Sequence, residues 1–210
     1  MIEENKKTHW ENIYQNKNLQ EVSWYQPTPK TSLSFFQTFN VPKNAKIIDI
    51  GGGDSLLVDH LLALGYTELT VLDISETAIE KAKIRLGKNE SQVKWVVSNI
   101  VDFVPTQKYD FWHDRATFHF LTQQTDIEKY IKIINQNVTE AGKLVIGTFS
   151  EKGPTKCSGI EIKQYSKAKL VQTIGLYFKK IKCFTENHKT PFNTLQNFVF
   201  CSFSKAQMVK

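Results

Sequence analysis

Long apolar runs are missing from this chain of 210 residues, although 40% of its residues are hydrophobic. No run approaches the roughly 18 consecutive apolar residues that a membrane-spanning helix needs. The first nine residues are mostly polar, whereas a secretory signal peptide carries an apolar segment there. We therefore expect a cytoplasmic chain without a membrane segment, long enough to bury one sizeable core.

Cysteine is scarce as well. The three cysteines, Cys157, Cys183 and Cys201, are an odd number and include no C-x-x-C pair. This spacing indicates neither a disulfide framework nor a zinc site, so we expect reduced thiols and no metal.

Charge is not concentrated in one region. The formal net charge is +6, but the lysines are spread along the chain, and the densest group is Lys179, Lys180 and Lys182. A solvated surface explains this distribution better than a nucleic-acid interface does.

Short apolar runs and helical patterns alternate along most of the chain. Helical spacing and caps predict helices between these runs, for example from Ser75 to Gly87 and over the stripe from Ile127 to Val138. This alternation predicts a doubly wound α/β fold with a mostly parallel sheet and helices on both faces. A helix over 166–174 and two strands over 177–184 and 197–203 should then form an antiparallel pair at one edge. The predicted parallel strands are 46–50, 69–73, 93–97, 109–113 and 143–148.

A glycine turn follows the first strand. Asp49 precedes Gly51, Gly52 and Gly53, at the position where parallel sheets bind nucleotides. The turn has no lysine, so it is not a P-loop, and it lacks the third glycine of a dinucleotide fingerprint. Asp49 and the following Asp54 would repel a pyrophosphate and would suit a cation such as a sulfonium.

A second signal comes from Asp73, which lies 22 positions beyond Gly51 at the end of the second strand. A carboxylate there can accept hydrogen bonds from both hydroxyls of a ribose. Together with the glycine turn, it indicates a ribose-bearing ligand without a phosphate.

These residues resemble the class I methyltransferases that use S-adenosylmethionine (SAM). Their D-x-G-x-G-x-G motif matches Asp49, Gly51 and Gly53 and departs at Ser55. The resemblance implies a seven-stranded sheet whose last strand is antiparallel. It also implies that SAM, or its product S-adenosylhomocysteine (SAH), lies across the glycine turn. The positions implied for ribose and adenine contacts are Asp73, Ile74, Asn99 and Ile100.

A compact bacterial branch of that family is similar in further stretches. These are 21–25, with the sequence Glu-Val-Ser-Trp-Tyr, 153–159, which holds Gly-Pro and Cys-Ser-Gly, 188–191 and Gln196.

The first forty residues differ from the rest, because aromatic side chains stand among polar ones. Trp10, Tyr14, Trp24 and Tyr25 either pack onto the domain or close over the cofactor as a lid. We assign residues 1–40 to an aromatic cap, in which Tyr14 contacts the cofactor, and residues 41–210 to the methyltransferase domain.

Methyl transfer from a sulfonium is an in-line displacement that needs no metal and no covalent nucleophile. An acceptor that must lose a proton needs a base. His119 is our first candidate, followed by Asp114, His188 and His113, and Asp114 also belongs to the segment that closes the cofactor site.

The choice among classes of methyl acceptor rests mainly on motifs that the sequence lacks. The [DNS]-P-P-[YF] motif of enzymes that methylate base amines is missing, which disfavours nucleic acid. We expect a small-molecule acceptor. A protein lysine is the alternative, because residues 114–117 resemble the Asp-Lys-Gly-Thr segment of lysine methyltransferases. A noncatalytic SAM-binding protein is a further alternative, and the sequence does not indicate an oligomeric state.

Overall fold

The structure, a computed structural model, describes residues 3–206, with side chains from residue 6 onward. Its helices are α1 (Glu3–Asn16), α2 (Lys30–Thr38), α3 (Leu57–Ala63), α4 (Glu76–Leu86), α5 (Gln124–Asn137) and α6 (Lys167–Ile174). Its strands are β1 (Lys46–Ile50), β2 (Glu68–Asp73), β3 (Val93–Val97), β4 (Tyr109–Arg115), β5 (Val138–Phe149), β6 (Lys156–Cys157), β7 (Ile160–Glu161), β8 (Phe178–Lys189) and β9 (Leu195–Lys205).

Seven of the strands form one sheet in the order β3-β2-β1-β4-β5-β9-β8. The first five are parallel to one another, and β9 is antiparallel to both β5 and β8. The predicted fold class, with its antiparallel last strand, is confirmed. The strand order reverses between β1 and β4, where a crevice opens in sheets of this kind.

Two apolar layers cover the sheet because successive residues of a strand point to opposite faces. On β1, Ile47 packs with helices α2, α3 and α4, whereas Ile48 and Ile50 pack with α5 and α6. Within the described residues, no helix is long and apolar enough to cross a membrane.

The predicted helix caps are largely confirmed. The Ser75 hydroxyl accepts a hydrogen bond from the Ala78 amide and so begins α4, and Gly87 ends it with a positive φ of 55°. Ser166 caps α6 in the same way as Ser75 caps α4. The stripe on α5 is one residue too long in our prediction, because Val138 already pairs with Tyr109 as the start of β5.

One cysteine prediction is wrong. The structure joins Cys183 and Cys201 in a disulfide, while Cys157 is free and buried. Cys183 and Cys201 lie directly opposite each other in the antiparallel register of β8 and β9, with Cα atoms 4.2 Å apart. That register is a tertiary feature, and the spacing of the two cysteines along the chain does not reveal it.

Helix α1 is attached to α4 through one carboxylate. Glu11 accepts hydrogen bonds from the Glu76 and Thr77 amides at 2.7 and 3.1 Å and from the Ser75 hydroxyl at 3.1 Å. These amides belong to the first turn of α4, where backbone N–H groups have no partner within the helix. Partial burial acts to raise the pKa of Glu11, but the hydrogen bonds outweigh it, and the pKa is lowered.

We expect Glu11→Gln to lower the free energy of unfolding by about 1 kcal/mol near neutral pH, as the loss of a capping carboxylate does. A carboxylate whose pKa is lowered on folding contributes stability above its unfolded pKa and loses it as pH falls through the folded value. The difference between Glu11→Gln and wild type, measured by chemical denaturation, should therefore shrink as the pH falls through the lowered pKa of Glu11. Asn12→Ala, on the exposed side of the same helix, is the control. A difference that is unchanged at low pH would show that the Glu11 charge is not the cause.

Candidate functional site

A cleft opens at the carboxyl ends of β1, β2 and β4, where the strand order reverses. About 140 Å³ inside it is open to the centre of a water molecule. A single water needs only about 10–15 Å³ on this measure, so the cleft accommodates an organic molecule. Eight of the predicted cofactor-binding residues line it: Tyr14, Asp49, Gly51, Gly52, Asp73, Ile74, Asn99 and Ile100.

The glycine turn brings backbone, rather than side chains, up to the cleft. Gly51 and Gly53 have positive φ values of 64° and 41°, which favour glycine. A Cβ on Gly53 would lie 2.7 Å from Asp73 Oδ2 and 3.0 Å from the Tyr14 hydroxyl, and one on Gly51 would overlap the Thr117 side chain. The turn therefore leaves no room for larger residues. Gly53 supports the cleft from behind and does not line it.

Asp73 is buried at the end of β2, with only 5% of its surface exposed. Its Oδ1 accepts a hydrogen bond from the Ser75 amide at 2.9 Å. Burial raises the pKa of Asp73 to about 7, against the lowering effect of that hydrogen bond. Asn99 faces the same part of the cleft and accepts a hydrogen bond from the Val101 amide at 3.4 Å.

Aromatic side chains from the N-terminal segment roof the cleft. The ring of Trp10 lies 5.2 Å from Phe120, which follows β4, and 5.7 Å from Trp24. Tyr14 is buried beneath them, and burial followed by the nearby Asp73 raises its pKa well above the ordinary value. In contrast to this roof, α2 belongs to the core of the domain, where Phe36 packs 4.4 Å from Phe111.

A hydrogen-bonded chain crosses the floor of the cleft. His113 Nδ1 lies 2.7 Å from Asp49 Oδ1, and its Nε2 lies 2.9 Å from the Ser32 hydroxyl. A carboxylate only accepts, so Nδ1 donates to Asp49, and Nε2 of the neutral ring accepts from Ser32. The pairing follows from the register, which places Asp49 directly beside His113 on β1 and β4. Nothing in the sequence identified Ser32.

The predicted role of Asp54 is wrong. We expected Asp49 and Asp54 to face a cation together, but only Asp49 lines the cleft. Asp54 forms an ion pair with Arg85 of α4, and the Arg85 Nη2 also contacts Asp59 at 2.9 Å. A guanidinium within reach neutralises the charge of Asp54, so it makes no contribution to a cation site.

Asp114, predicted for catalysis and cofactor binding, is fully buried behind the described lining of the cleft. Its Oδ1 accepts hydrogen bonds from the Thr117 and Phe118 amides, both at 3.1 Å, and its Oδ2 accepts from the Tyr130 hydroxyl at 2.8 Å. Burial raises its pKa to about 6. Asp114 fixes the turn after β4, in which Ala116 is held at a φ of 68°.

His119, the first candidate for a base, is also fully buried and lies outside the described lining. Its Nδ1 accepts a hydrogen bond from the Phe149 amide at 3.3 Å, and its ring stacks on the Phe149 ring at 4.6 Å. Burial, followed by the charge of Arg115, lowers the pKa of His119 to about 3. An apolar environment disfavours the charged ring, so this surrounding does not favour His119 as a base near neutral pH.

His188 lies beside the cleft, in a small adjoining pocket that also contains Glu186. Its Nε2 donates to the Ser23 carbonyl at 2.7 Å, and burial lowers its pKa. The structure therefore places Asp114, His119 and His188 around the cleft. Of the four histidine and aspartate candidates for a base, His113 is the one that lines it.

Arg115, Cys157 and Gln196 also line the cleft, and the sequence did not assign them a role. Arg115 donates from Nη1 to the Trp24 carbonyl at 3.3 Å and lies 4.9 Å from the Phe198 ring. Cys157 is buried nearby, which raises its pKa to about 11, and Gln196 lines the same side. A basic residue at the end of β4 was the available signal for Arg115. The described residues contain no group of three or more potential ligands that could hold a metal ion.

The sequence profile of a family described as a methyltransferase domain matches residues 42–192, well over half of the chain. The malonyl-[acyl-carrier protein] O-methyltransferase of Anoxybacillus flavithermus is 37% identical over 109 residues, which cover 50% of this chain and 39% of that protein. The chain spans about two fifths of the length of the first curated relatives that it matches.

Two further similarities cover more of the chain. Human EEF1A lysine methyltransferase 2 is 23% identical over 154 residues, covering 66% of this chain and 65% of that protein. The crystal structure of the N-methyltransferase NodS from Bradyrhizobium japonicum in complex with SAH superposes with a TM-score of 0.73. It covers 97% of this chain and all of that one at 14% identity, a level at which the match shows the fold alone.

We expect the His119 ring to remain neutral in the folded protein. Its NMR signals, assigned by their loss in His119→Gln, should stay constant from about pH 5 to about pH 8, because the pKa lies far below this range. The same chain in denaturant provides the control, since its five histidines should all titrate at about pH 6.5. A titration midpoint near neutral pH for His119 in the folded chain would restore it as a candidate base.

Proposed function

The chain belongs to the methyltransferase domain family, and we propose that it transfers the methyl group of SAM to a small-molecule acceptor. The observation that carries the choice of acceptor is the aromatic roof of Trp10, Trp24 and Phe120. These rings close over the cleft on the side of the segment after β4. A covered cleft encloses a small acceptor, whereas a protein acceptor needs an open approach.

Several residues of the cleft fit the parts of SAM. The buried carboxylate of Asp73 matches two ribose hydroxyls, and Ile74, Asn99 and Ile100 form an apolar and amide surface suited to adenine. Gly51 and Gly52 leave backbone close to the ligand, and Tyr14 closes the site from the N-terminal segment.

When bound, SAM supplies an electrophilic methyl group on a sulfonium. The chain has to place the acceptor in line with it and exclude water. Asp49 supplies a negative charge on the floor of the cleft, and its orientation is fixed by His113 and Ser32. Of residues 1–40, we assign the role of a cap to the part that precedes α2. Helix α2 itself packs into the domain core.

His113 is the group we assign to proton removal, where the acceptor needs it. Ser32 lines the cleft, so its hydroxyl takes the acceptor's proton in this proposal as it passes its own proton to His113 Nε2. The imidazolium that forms would be stabilised by Asp49 at 2.7 Å. Asp114, His119 and His188 act in this proposal as positioning residues. Asp114 holds the turn that presents residues 115–117, and His188 ties β8 to the Ser23 carbonyl.

A protein lysine acceptor is the second candidate, favoured by the similarity to EEF1A lysine methyltransferase 2. A lysine side chain approaches as a cation. The guanidinium of Arg115 lies on the acceptor side of the cleft and would oppose such an approach. This charge favours the small molecule.

The acceptor class is tested with methyl-labelled SAM and an extract of the source organism, separated by size before incubation. We expect the label in compounds below roughly 1 kDa, because the aromatic roof leaves room for a small acceptor beneath it. His113→Gln should transfer the label at least about tenfold more slowly, and Asp73→Asn serves as the cofactor-site control. Label found only in protein, at lysine, would establish the second candidate.

Binding of SAH should depend on the ionisation of Asp73. Its pKa of about 7 in the cleft means that a proton must leave before the carboxylate accepts both ribose hydroxyls. In calorimetry, the affinity should fall as pH decreases below about 7, by up to about tenfold per pH unit. Asp73→Asn should bind at least about tenfold more weakly above pH 7, with no such pH dependence.

The matched control is Glu68→Gln, at the opposite, exposed end of β2. It should retain both the affinity and the pH dependence of wild type. If a folded Asp73→Asn variant kept wild-type affinity at every pH, Asp73 would have no contact with the ribose.

A further inference from the structure

We infer that the acceptor carries a carboxylate and that Arg115 binds it. The inference rests on the proposed small-molecule methyl transfer and specifies the class of acceptor. It starts from an unpaired guanidinium nitrogen of Arg115 in the cleft, which the family match and the cofactor-binding residues leave unexplained.

Arg115 has a buried nitrogen without a partner. Its Nη2 makes no hydrogen bond within the described part of the chain, although the atom is shielded from solvent. Its Nη1 donates to a neutral group, the Trp24 carbonyl at 3.3 Å. The two acids that act on Arg115 at longer range have other partners: Glu186 accepts from the Thr31 hydroxyl at 2.6 Å, and Asp49 accepts from His113.

The charge of Arg115 nevertheless persists. Burial lowers its pKa to about 10, which leaves the guanidinium protonated at neutral pH. A guanidinium nitrogen that is shielded from solvent and has no carboxylate at hydrogen-bond distance is stabilised by an anion that binds at that distance. Since Arg115 lines both the cleft and the adjoining pocket, a bound anion can reach it.

The surroundings of Arg115 select the kind of anion. The ring of Phe198 lies 4.9 Å from the guanidinium, and Phe149 and Trp24 line the same region. One cation among aromatic rings balances the single charge of a carboxylate, whereas a phosphate brings about two charges and needs more donors. The Gln196 Oε1, also buried without a partner in the described residues, offers an acceptor for a neighbouring N–H or O–H of the ligand.

Charge is thus divided along the cleft. Asp73 and Asp49 lie on the side assigned to SAM, and Arg115 lies beyond them, next to Cys157 and Gln196. SAM also has a carboxylate, so the same chemistry has two possible sources. Calorimetry with SAH separates them, because Arg115→Met should leave SAH affinity unchanged within about threefold if the acceptor is the partner. A loss of about tenfold or more would assign Arg115 to the cofactor and overturn the inference.

The acceptor side is tested by thermal melts in saturating SAH. The probes are sodium acetate, propionate, benzoate and malonate, each compared with its amide and with sodium chloride at equal ionic strength. At least one carboxylate should raise the melting temperature of wild type saturably, and its amide should not. Arg115→Met should abolish the shift, and Arg115→Lys should retain part of it.

Lys43→Met is the matched control, because Lys43 is an exposed cation that lies over the Tyr66 ring away from the cleft. It should respond as wild type does. The inference is overturned if no carboxylate exceeds chloride, or if a folded Arg115→Met or Arg115→Lys variant responds fully.

A last arm distinguishes failure of this inference from failure of the proposed function. The low-mass extract fraction is passed over an anion exchanger at neutral pH before labelling. Acceptor activity retained on the exchanger supports a carboxylate-bearing acceptor. Activity that passes through, with a methylated product that has no carboxylate by mass spectrometry, overturns this inference and leaves the small-molecule function intact. Label found only in protein overturns the proposed function, and the melts then decide by themselves whether Arg115 binds carboxylate.

Discussion

The reversal of strand order between β1 and β4 is the constraint on which the rest of the structure depends. After β1 the chain enters helix α3 on one face of the sheet, whereas α5, which follows β4, covers the other face. Because the two connections run to opposite faces, the carboxyl ends of the adjacent strands β1 and β4 remain uncovered between them. The glycine turn, Asp73 and the segment after β4 all meet there because their strands are neighbours in the sheet.

Burial around this cleft sets the charge of each ionisable group. The pKa of Asp73 is raised to about 7 and that of Asp114 to about 6, while that of His119 is lowered to about 3. In each case loss of solvent disfavours the charged form. Asp114 has three donors that compensate, whereas Arg115 keeps its charge with one nitrogen unpaired. Asp114 therefore stabilises the local fold, whereas Arg115 has a nitrogen that can bind a ligand.

The N-terminal segment links the two halves of the cleft. Glu11 joins α1 to the start of α4, and the rings of Trp10 and Trp24 extend from there to Phe120. Ser32, on α2, reaches His113 on β4. Contacts made by the first forty residues thus reach the start of α4, the floor of the cleft and Arg115 at the end of β4.

The sequence by itself determined the alternation of strands and helices, the cap at Ser75, the glycine turn and the acid at Asp73. Each of these is a local pattern, fixed by the period of a helix or strand or by the φ that a turn requires. The tertiary structure decided what lies far apart along the chain. In the folded chain, Cys183 forms a disulfide with Cys201, and Asp54 forms an ion pair with Arg85. His113 forms hydrogen bonds with Asp49 and Ser32, and His119 is fully buried. Register between strands and burial depend on the packing of the whole chain, and for that reason no local pattern reveals that His113 and Arg115 line the cleft whereas Asp54, Asp114 and His119 do not.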